Sequence, residues 1–334
     1  MTPACPLCGG GRCVPFELST DPVSGRSYAF VRCGGCGGEF ADPMENPGPE
    51  WYAKAAFYNE DACRSGAAAR LRGGVFLELG LAKDARLLDV GCGAGEFLAL
   101  AAGAGYSRCS GIDFSPAQVR LARENSGLED ISVASLEEFL PGRDGSFDLV
   151  SAFEVLEHQP APADFVKRLK GLLAPGGLLM LSVPNAARPL LFGGREAWDY
   201  PPHHLTRWDA GRLDRFLAGL GLEKVGLKDS ELPAEHVYNQ LFGVKLDAAV
   251  KGAIAAVKRL LFGGKAAASM DEIVASGAAG AAGVLRFRLA RRLPAAALKL
   301  FFRALLLPVY LPLWLSYSAA GHRGTSLVAV YRAK

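Results

Sequence analysis

A glycine-rich loop between a strand-like and a helix-like segment constrains the fold of this chain most strongly. Residues 89–95 (DVGCGAG) end the apolar run Arg86–Val90 and precede an amphipathic stretch that begins at Glu96. Glycines in such a loop let the backbone turn tightly and let a ligand approach it closely. The dinucleotide fingerprint GxGxxG would place its third glycine at position 96, which holds glutamate.

Two acidic residues accompany this loop. Asp89 would repel a pyrophosphate and suits a ligand that carries a positive amino group. Asp113 ends the next strand-like run, where a carboxylate can accept hydrogen bonds from both ribose hydroxyls of a nucleoside. The pattern therefore predicts a site for a cationic nucleoside ligand.

The segment around the loop alternates apolar runs with amphipathic stretches, which indicates a parallel sheet with helices on both faces. The apolar runs are residues 86–90, 110–113, 131–134, 147–152 and 178–183, and the helical candidates are 96–103, 115–125, 136–140 and 161–173. We predict an α/β fold with a doubly wound, Rossmann-like sheet over residues 83–230. A small module (1–46) and a helical linker (47–82) precede it, and a mainly helical extension with a terminal strand (231–334) follows.

Over residues 83–230 the chain resembles the class I S-adenosylmethionine-dependent methyltransferases. The resemblance rests on LLDVGCGAGEFL (87–98), FDLV (147–150), EVLEH (154–158) and LAPGG (173–177). It implies that the first loop holds the methionine part of adenosylmethionine, that Asp113 holds the ribose and that Phe114 flanks the adenine. Ser135 and Leu136 match the adenine-edge position, where many members have aspartate. The implied cofactor-binding residues are Asp89, Gly91, Cys92, Gly93, Gly95, Asp113, Phe114, Ser135, Leu136 and Phe153.

Three histidines are the candidate catalytic residues. Methyl transfer is an in-line displacement, and a weakly acidic hydroxyl acceptor must also lose a proton, for which histidine is suited near neutral pH. His158 follows the fourth predicted strand at its carboxyl end, whereas His203 and His204 lie in a loop that could cap the pocket. The alternative is that these histidines only cap helices or brace the loop.

Two CxxC pairs predict a structural zinc site in the N-terminal module. Cys5 and Cys8 are followed by Cys33 and Cys36 after 24 residues, and two such pairs complete a closed tetrahedral Cys₄ shell. A module of about 45 residues needs such a staple, because it cannot bury a sufficient core. This architecture resembles bacterial methyltransferases that modify sugars, polysaccharide precursors and secondary metabolites.

Composition and the C-terminal segment leave the acceptor open. A net charge of +3 gives no reason to expect a large nucleic-acid footprint, and the Asn/Asp-Pro-Pro-aromatic set of base-amine methyltransferases is absent after the fourth strand. We expect a cytoplasmic enzyme that O- or C-methylates a small-molecule, sugar or lipid-linked precursor. The alternatives are an RNA methyltransferase whose zinc module docks on RNA, and a non-catalytic adaptor. Residues 284–317 are basic and apolar; they either fill a groove or lie at a membrane surface.

Overall fold

The chain was described from a computed structural model, which covers residues 4–48, 51, 66–188, 190, 195, 199–232, 234–238, 241, 295–319 and 324–333. The strands are β1 Cys13–Thr20, β2 Ser27–Cys33, β3 Glu39–Asp42, β4 Arg86–Val90, β5 Arg108–Asp113, β6 Ile131–Val133, β7 Phe147–Phe153, β8 Leu173–Pro184, β9 Thr206–Arg207, β10 Leu222–Asp229 and β11 Ser326–Ala333. The helices are α1 Gly66–Glu78, α2 Glu96–Gly103, α3 Pro116–Ser126, α4 Leu136–Phe139, α5 Pro162–Leu172, α6 Ala210–Gly219, α7 Ala234–Tyr238 and α8 Ala295–Ala319, with a 3₁₀ turn at Leu156–His158.

The N-terminal module is an antiparallel sheet in the order β1-β2-β3-β9. Val31 and Phe40 are buried together with Cys5, Cys13 and Cys33, so the cysteine cluster and a few apolar side chains form one small core. The fourth strand, β9, comes from a much later part of the chain and pairs with β3. The module therefore completes its sheet only with residues that follow β8.

The large sheet has seven strands in the order β10-β11-β8-β7-β4-β5-β6. The five neighbouring strands β8, β7, β4, β5 and β6 are mutually parallel, as the alternation predicts. In contrast, β11 runs antiparallel to both of its neighbours, β10 and β8. The sheet is therefore mixed: the parallel sheet predicted over residues 83–230 is confirmed, and the antiparallel strand β11 is added from the C-terminal end of the chain. The terminal strand predicted from TSLVAVYR is present and belongs to this sheet; the domain boundaries stay a prediction.

The helices α3 and α5 show how the local sequence determines where an element begins and ends. Ser115 accepts a hydrogen bond from the Gln118 N–H at the start of α3, Pro116 occupies the first turn, and Gly127 ends the helix with φ 69°. The helix α5 ends at Leu172, and the next residue, Leu173, begins β8 and pairs with Phe147 of β7. The Pro-Gly-Gly sequence at 175–177 lies within β8, at the irregularity in its pairing with β7.

The chain divides into two compact units, and the second contains residues 233–322. Its described part includes α7 and α8, whose Tyr238 and Tyr310 rings lie 5.2 Å apart between centroids. α8 contains Pro308 and Pro312, and no helix in the described ranges is long and apolar enough to cross a bilayer. Residues 242–294, which include the start of the basic and apolar segment 284–317, lie outside the described residues.

Two glycines provide a matched test of the loop geometry. Gly95 has φ +76°, and an added Cβ would lie 2.8 Å from the Cα of Ala122, whereas a Cβ at Gly74 on the exposed side of α1 meets nothing within 4 Å. We expect Gly95→Ala to lower the free energy of unfolding by more than about 1 kcal/mol. Gly74→Ala should raise it by about 0.8–1 kcal/mol, because alanine favours a helix. Denaturant titration followed by circular dichroism measures both, and a Gly95→Ala variant as stable as the wild type would contradict the described turn.

Candidate functional site

The glycine loop is folded tightly onto the end of β5. The N–H groups of Gly91 and Cys92 both donate to the carbonyl of Ile112, at 2.8 and 3.0 Å. Gly91 has φ +71°, and a Cβ there would lie 2.7 Å from Cγ2 of Val155, in the segment after β7. The loop therefore requires glycine at position 91 both for its backbone conformation and for its close contact with that segment.

Asp113 is oriented by the glycine loop and by the start of α3. Its Oδ2 accepts from the Gly93 N–H at 3.0 Å, and its Oδ1 accepts from the Ser115 N–H at 2.9 Å. Burial raises the pKa of Asp113, and these two bonds counteract that effect. Each carboxylate oxygen keeps a further acceptor direction, so the group is placed to receive two hydroxyls of a ligand.

Asp89 lies deeper than the sequence suggests. It is 2% exposed, and its Oδ1 accepts a hydrogen bond from the Ser151 hydroxyl at 2.7 Å. Burial raises the pKa of Asp89 to about 7, while Ser151 and the charge of Arg72 oppose the rise. A cation bound at the loop would also oppose the rise in the pKa of Asp89 and would keep its carboxylate ionised.

Sequence reasoning missed Arg72, which projects from α1 toward the same region. Its guanidinium pairs with Glu96 at 3.1 Å and lies 5.3 Å from the ring centroid of Phe153. The Arg72 side chain is 13% exposed, so a cation is held close to the beginning of α2 and the end of β7. The segment was interpreted only as a linker, and nothing in its sequence singled out this arginine from its neighbours.

The remaining predicted cofactor residues differ in what they offer a ligand. Phe114 directly follows β5 and is 59% exposed. Ser135 forms a capping box with Glu138 at the start of α4, so its hydroxyl is already engaged. Cys92 and Leu136 are buried in the core, so they can contribute only backbone atoms.

The structure brings the three predicted catalytic histidines together. The ring centroids of His158 lie 4.7 Å from His203 and 5.0 Å from His204, and the last two rings stack at 4.6 Å. His158 ends the 3₁₀ turn after β7, and the pair lies just before β9. We call these three residues the histidine cluster.

Glu157 lies beside the histidine cluster and was not predicted from the sequence as part of it. Its Oε1 is 3.6 Å from Nε2 of His158 and 4.0 Å from Nε2 of His204. The residue is 1% exposed, and neither oxygen accepts a hydrogen bond from the described residues. Burial raises the pKa of Glu157 and lowers the pKa of His158. Both shifts follow from removing charged forms from water.

The N-terminal module holds the histidine loop in place. The Leu205 N–H donates to the Glu157 carbonyl at 2.7 Å, and the Leu205 carbonyl accepts from the Ala41 N–H at 2.7 Å. The ring of Trp51 stacks on His203 with centroids 6.0 Å apart, and its indole N–H donates to Asp21 at 2.9 Å. The bracing role that the sequence left open for these histidines is therefore compatible with their contacts.

The four cysteines of the two CxxC pairs converge as predicted. The Sγ atoms of Cys5 and Cys36 are 3.7 Å apart, as are those of Cys8 and Cys33, and all four lie within 4.8 Å of one another. A tetrahedron of sulfurs at about 2.3 Å from zinc has edges of about 3.8 Å, so the set fits this ion. The N–H groups of Gly35 and Gly38 point at the sulfurs of Cys33 and Cys36 at 3.4 Å.

Comparison with known proteins supports the same fold. The methyltransferase domain family matches residues 63–227. This part of the chain is a methyltransferase domain. A relative named ubiquinone biosynthesis O-methyltransferase, from Xanthomonas campestris pv. campestris, is 41% identical over 105 residues, or 30% of this chain and 44% of the relative. The chain therefore spans under half the length of the curated relatives that it matches.

Among solved structures, the chain is similar to the [4+2]-cyclase SpnF. The identity is 20%, the TM-score is 0.45, and the match covers 79% of this chain and 80% of that one. An S-adenosylmethionine dependent methyltransferase from Mesorhizobium loti has 20% identity and a TM-score of 0.40. That match covers 52% of this chain and 91% of the other.

Proposed function

We propose that the protein transfers a methyl group from S-adenosylmethionine to a hydroxyl of a small-molecule, sugar or lipid-linked precursor. The observation that carries the proposal is the Asp113 carboxylate, which the glycine loop holds with an acceptor direction free on each oxygen. The relative named as an O-methyltransferase favours oxygen over carbon as the acceptor atom. Product analysis distinguishes O- from C-methylation.

The residues around the glycine loop fit the parts of adenosylmethionine, which supplies a methyl group on a sulfonium. The methionine part would lie along Gly91, Gly93 and Gly95, with Asp89 and Arg72 as nearby charges for its amino and carboxylate groups. Asp113 would hold the ribose, and the exposed ring of Phe114 would cover the adenine. Because Ser135 is committed to its capping box, we assign it no side-chain bond to the base.

Arg72 allows a direct test of this assignment. We expect Arg72→Ala to raise the Kd for adenosylmethionine about tenfold, because removing one close cation costs on the order of 1.4 kcal/mol of binding. Arg70→Ala is the matched control, since Arg70 lies on the exposed side of the same helix, and its Kd should stay within about twofold of wild type. Isothermal titration calorimetry measures both. A wild-type chain that fails to bind adenosylmethionine would contradict the proposed function and favour an adaptor.

We assign removal of the acceptor proton to the histidine cluster acting as a unit. His158 lies three residues beyond Val155, whose side chain contacts the glycine loop, so the cluster lies at the carboxyl end of β7. Ligands bind at this edge in open α/β sheets. The buried setting lowers the pKa of His158, so its imidazole is neutral at pH 7.

Replacing each member of the cluster tests this role. His158→Ala, His203→Ala and His204→Ala should each lower kcat by about a hundredfold or more, because a positioned proton acceptor contributes at least that factor. The Kd for adenosylmethionine, measured alongside, should not change. Near-wild-type kcat in all three variants would remove the histidines from the mechanism.

An acceptor screen separates this proposal from its main alternative. Formation of adenosylhomocysteine is followed with phenols and catechols, sugar nucleotides, polyprenyl-linked sugars, transfer RNA and ribosomal RNA. The proposal expects turnover with a small-molecule or lipid-linked class. Turnover confined to RNA would instead support an RNA methyltransferase that docks through its zinc module.

We propose that the four-cysteine cluster holds a structural zinc ion. Cys5, Cys8, Cys33 and Cys36 would form a closed shell, which leaves no position for water or substrate. The ion would stabilise a module whose core otherwise consists of a few apolar residues. Cys13 is buried beside the cluster and bonds to the Gly10 carbonyl, so we assign it no ligand role.

We further propose a cytoplasmic protein that contacts the membrane surface through α8. Leu305, Val309 and Leu313 follow one another at four-residue spacing and are 59%, 53% and 39% exposed, so they form an apolar stripe. Lys299 and Arg303 precede the stripe in the sequence, and such a basic, apolar pattern suits an anionic membrane surface.

Flotation with lipid vesicles tests the stripe. Truncation at residue 284 would remove β11 from the sheet, so substitutions within α8 are preferable. The wild type should float with anionic vesicles, and a variant with Leu305→Asp, Val309→Asp and Leu313→Asp should stay at the bottom of the gradient. Neutral vesicles serve as the lipid control. A wild type that never floats would contradict membrane contact.

A further inference from the structure

We propose that the histidine cluster, together with Glu157, binds a divalent transition-metal ion at a second metal site, separate from the four-cysteine cluster. One ring nitrogen from each of His158, His203 and His204 lies within 4.8 Å of the others. All three rings are largely shielded from solvent, and Glu157 is almost fully buried beside them. This goes beyond the proposed methyl transfer, and the binding claim does not depend on it.

The hydrogen bonds of two histidines fix which nitrogen can bind an ion. Nδ1 of His158 is 2.6 Å from the His203 carbonyl, and because a carbonyl only accepts, Nδ1 carries the proton and Nε2 keeps its lone pair. Nδ1 of His204 faces Oδ1 of Asp199 at 3.5 Å, which again leaves Nε2 as the donor atom toward a metal. Histidine ligands of metals commonly use one nitrogen for the ion and give the other to a carbonyl or carboxylate.

The partners behind these ligands are themselves held firmly. Asp199 is 3% exposed, it pairs with Arg188, and Nη1 of Arg195 lies 3.8 Å from it. The Asp199 carboxylate is therefore ionised and fixed, and hydrogen bonding to His204 lowers its pKa against the effect of burial. A fixed carboxylate behind an imidazole orients the ring and raises its basicity toward a metal.

Glu157 supplies the observation that points to a ligand. Both of its oxygens are buried, and neither accepts a hydrogen bond from any residue the structure describes. A carboxylate in this state carries a large desolvation cost unless it is protonated or compensated by a cation. Its Oε1 lies 3.6 and 4.0 Å from the Nε2 atoms of His158 and His204, so the carboxylate faces two of the three imidazoles.

The donor set indicates the class of ion. Three imidazole nitrogens and one carboxylate oxygen suit Zn²⁺, Co²⁺, Ni²⁺ or Fe²⁺, whereas Mg²⁺ and Ca²⁺ prefer sites made of oxygen atoms.

Cobalt uptake by the full chain tests the proposal without an activity assay. Metal-free protein is dialysed against Co²⁺, bound cobalt is measured by mass spectrometry, and the absorbance spectrum separates the two sites. Cobalt at the four-cysteine cluster gives a thiolate-to-metal charge-transfer band, whereas cobalt at the histidine cluster does not. We expect one equivalent of cobalt per chain that does not give the thiolate band, which we call the band-free equivalent. Any cobalt bound at the four-cysteine cluster adds to this and gives the band. Absence of that band-free equivalent in the wild type would overturn the proposal.

Variants assign the band-free cobalt to these residues. The double variant His158→Ala/His204→Ala should lose it while keeping the thiolate band, which also reports that the N-terminal module is folded. Glu157→Gln preserves the size of the side chain and should weaken binding of the band-free equivalent about tenfold or more. Glu137→Gln, at an exposed acid on α4, is the control and should bind as the wild type does. Retention of the band-free cobalt by the double variant would refute the assignment to the histidine cluster.

Discussion

The backbone of Leu205 is the junction on which the arrangement of the site depends. Its N–H bonds to the Glu157 carbonyl and its carbonyl accepts from Ala41, so one residue ties the 3₁₀ turn after β7 to the third strand of the N-terminal module. His203 and His204 precede this residue directly, and β9 follows it. The positions of the two histidines are therefore set by two main-chain hydrogen bonds, one to the 3₁₀ turn and one to β3.

Burial of charged groups is the second constraint. The buried carboxylates are compensated differently at the glycine loop and at the histidine cluster. At the glycine loop, Asp89 and Asp113 are buried but accept bonds from Ser151 and from backbone N–H groups. At the histidine cluster, Asp199 is compensated by arginine, whereas Glu157 accepts no hydrogen bond in the described part of the chain. Because an uncompensated buried carboxylate costs several kcal/mol, Glu157 must be neutral or must face a cation.

Much of this fold follows from short-range sequence signals, and the parts that do not are non-local. The glycine loop and the CxxC pairs each depend on neighbours within a few residues, and their predicted structures are present. The direction of β11 could not be predicted, because the residues of this strand fit a parallel or an antiparallel neighbour equally well. Arg72 contacts Phe153, and Glu157 lies near His204. These partners are distant in sequence, so the spacing of residues along the chain does not predict the contacts.

The same junction bears on the role of the N-terminal module. A module that docks RNA would be expected to present a basic surface, and Arg207, Arg212 and Arg32 of this region are instead paired with Glu17 or Glu39. Arg207 also lies 3.4 Å from the centroid of the Phe30 ring, so its guanidinium is part of the contact between β9 and the rest of the module. Charges used in this way support the loop that carries His203 and His204. The contacts therefore favour a module that stabilises the acceptor side of the site over one that recruits a nucleic acid.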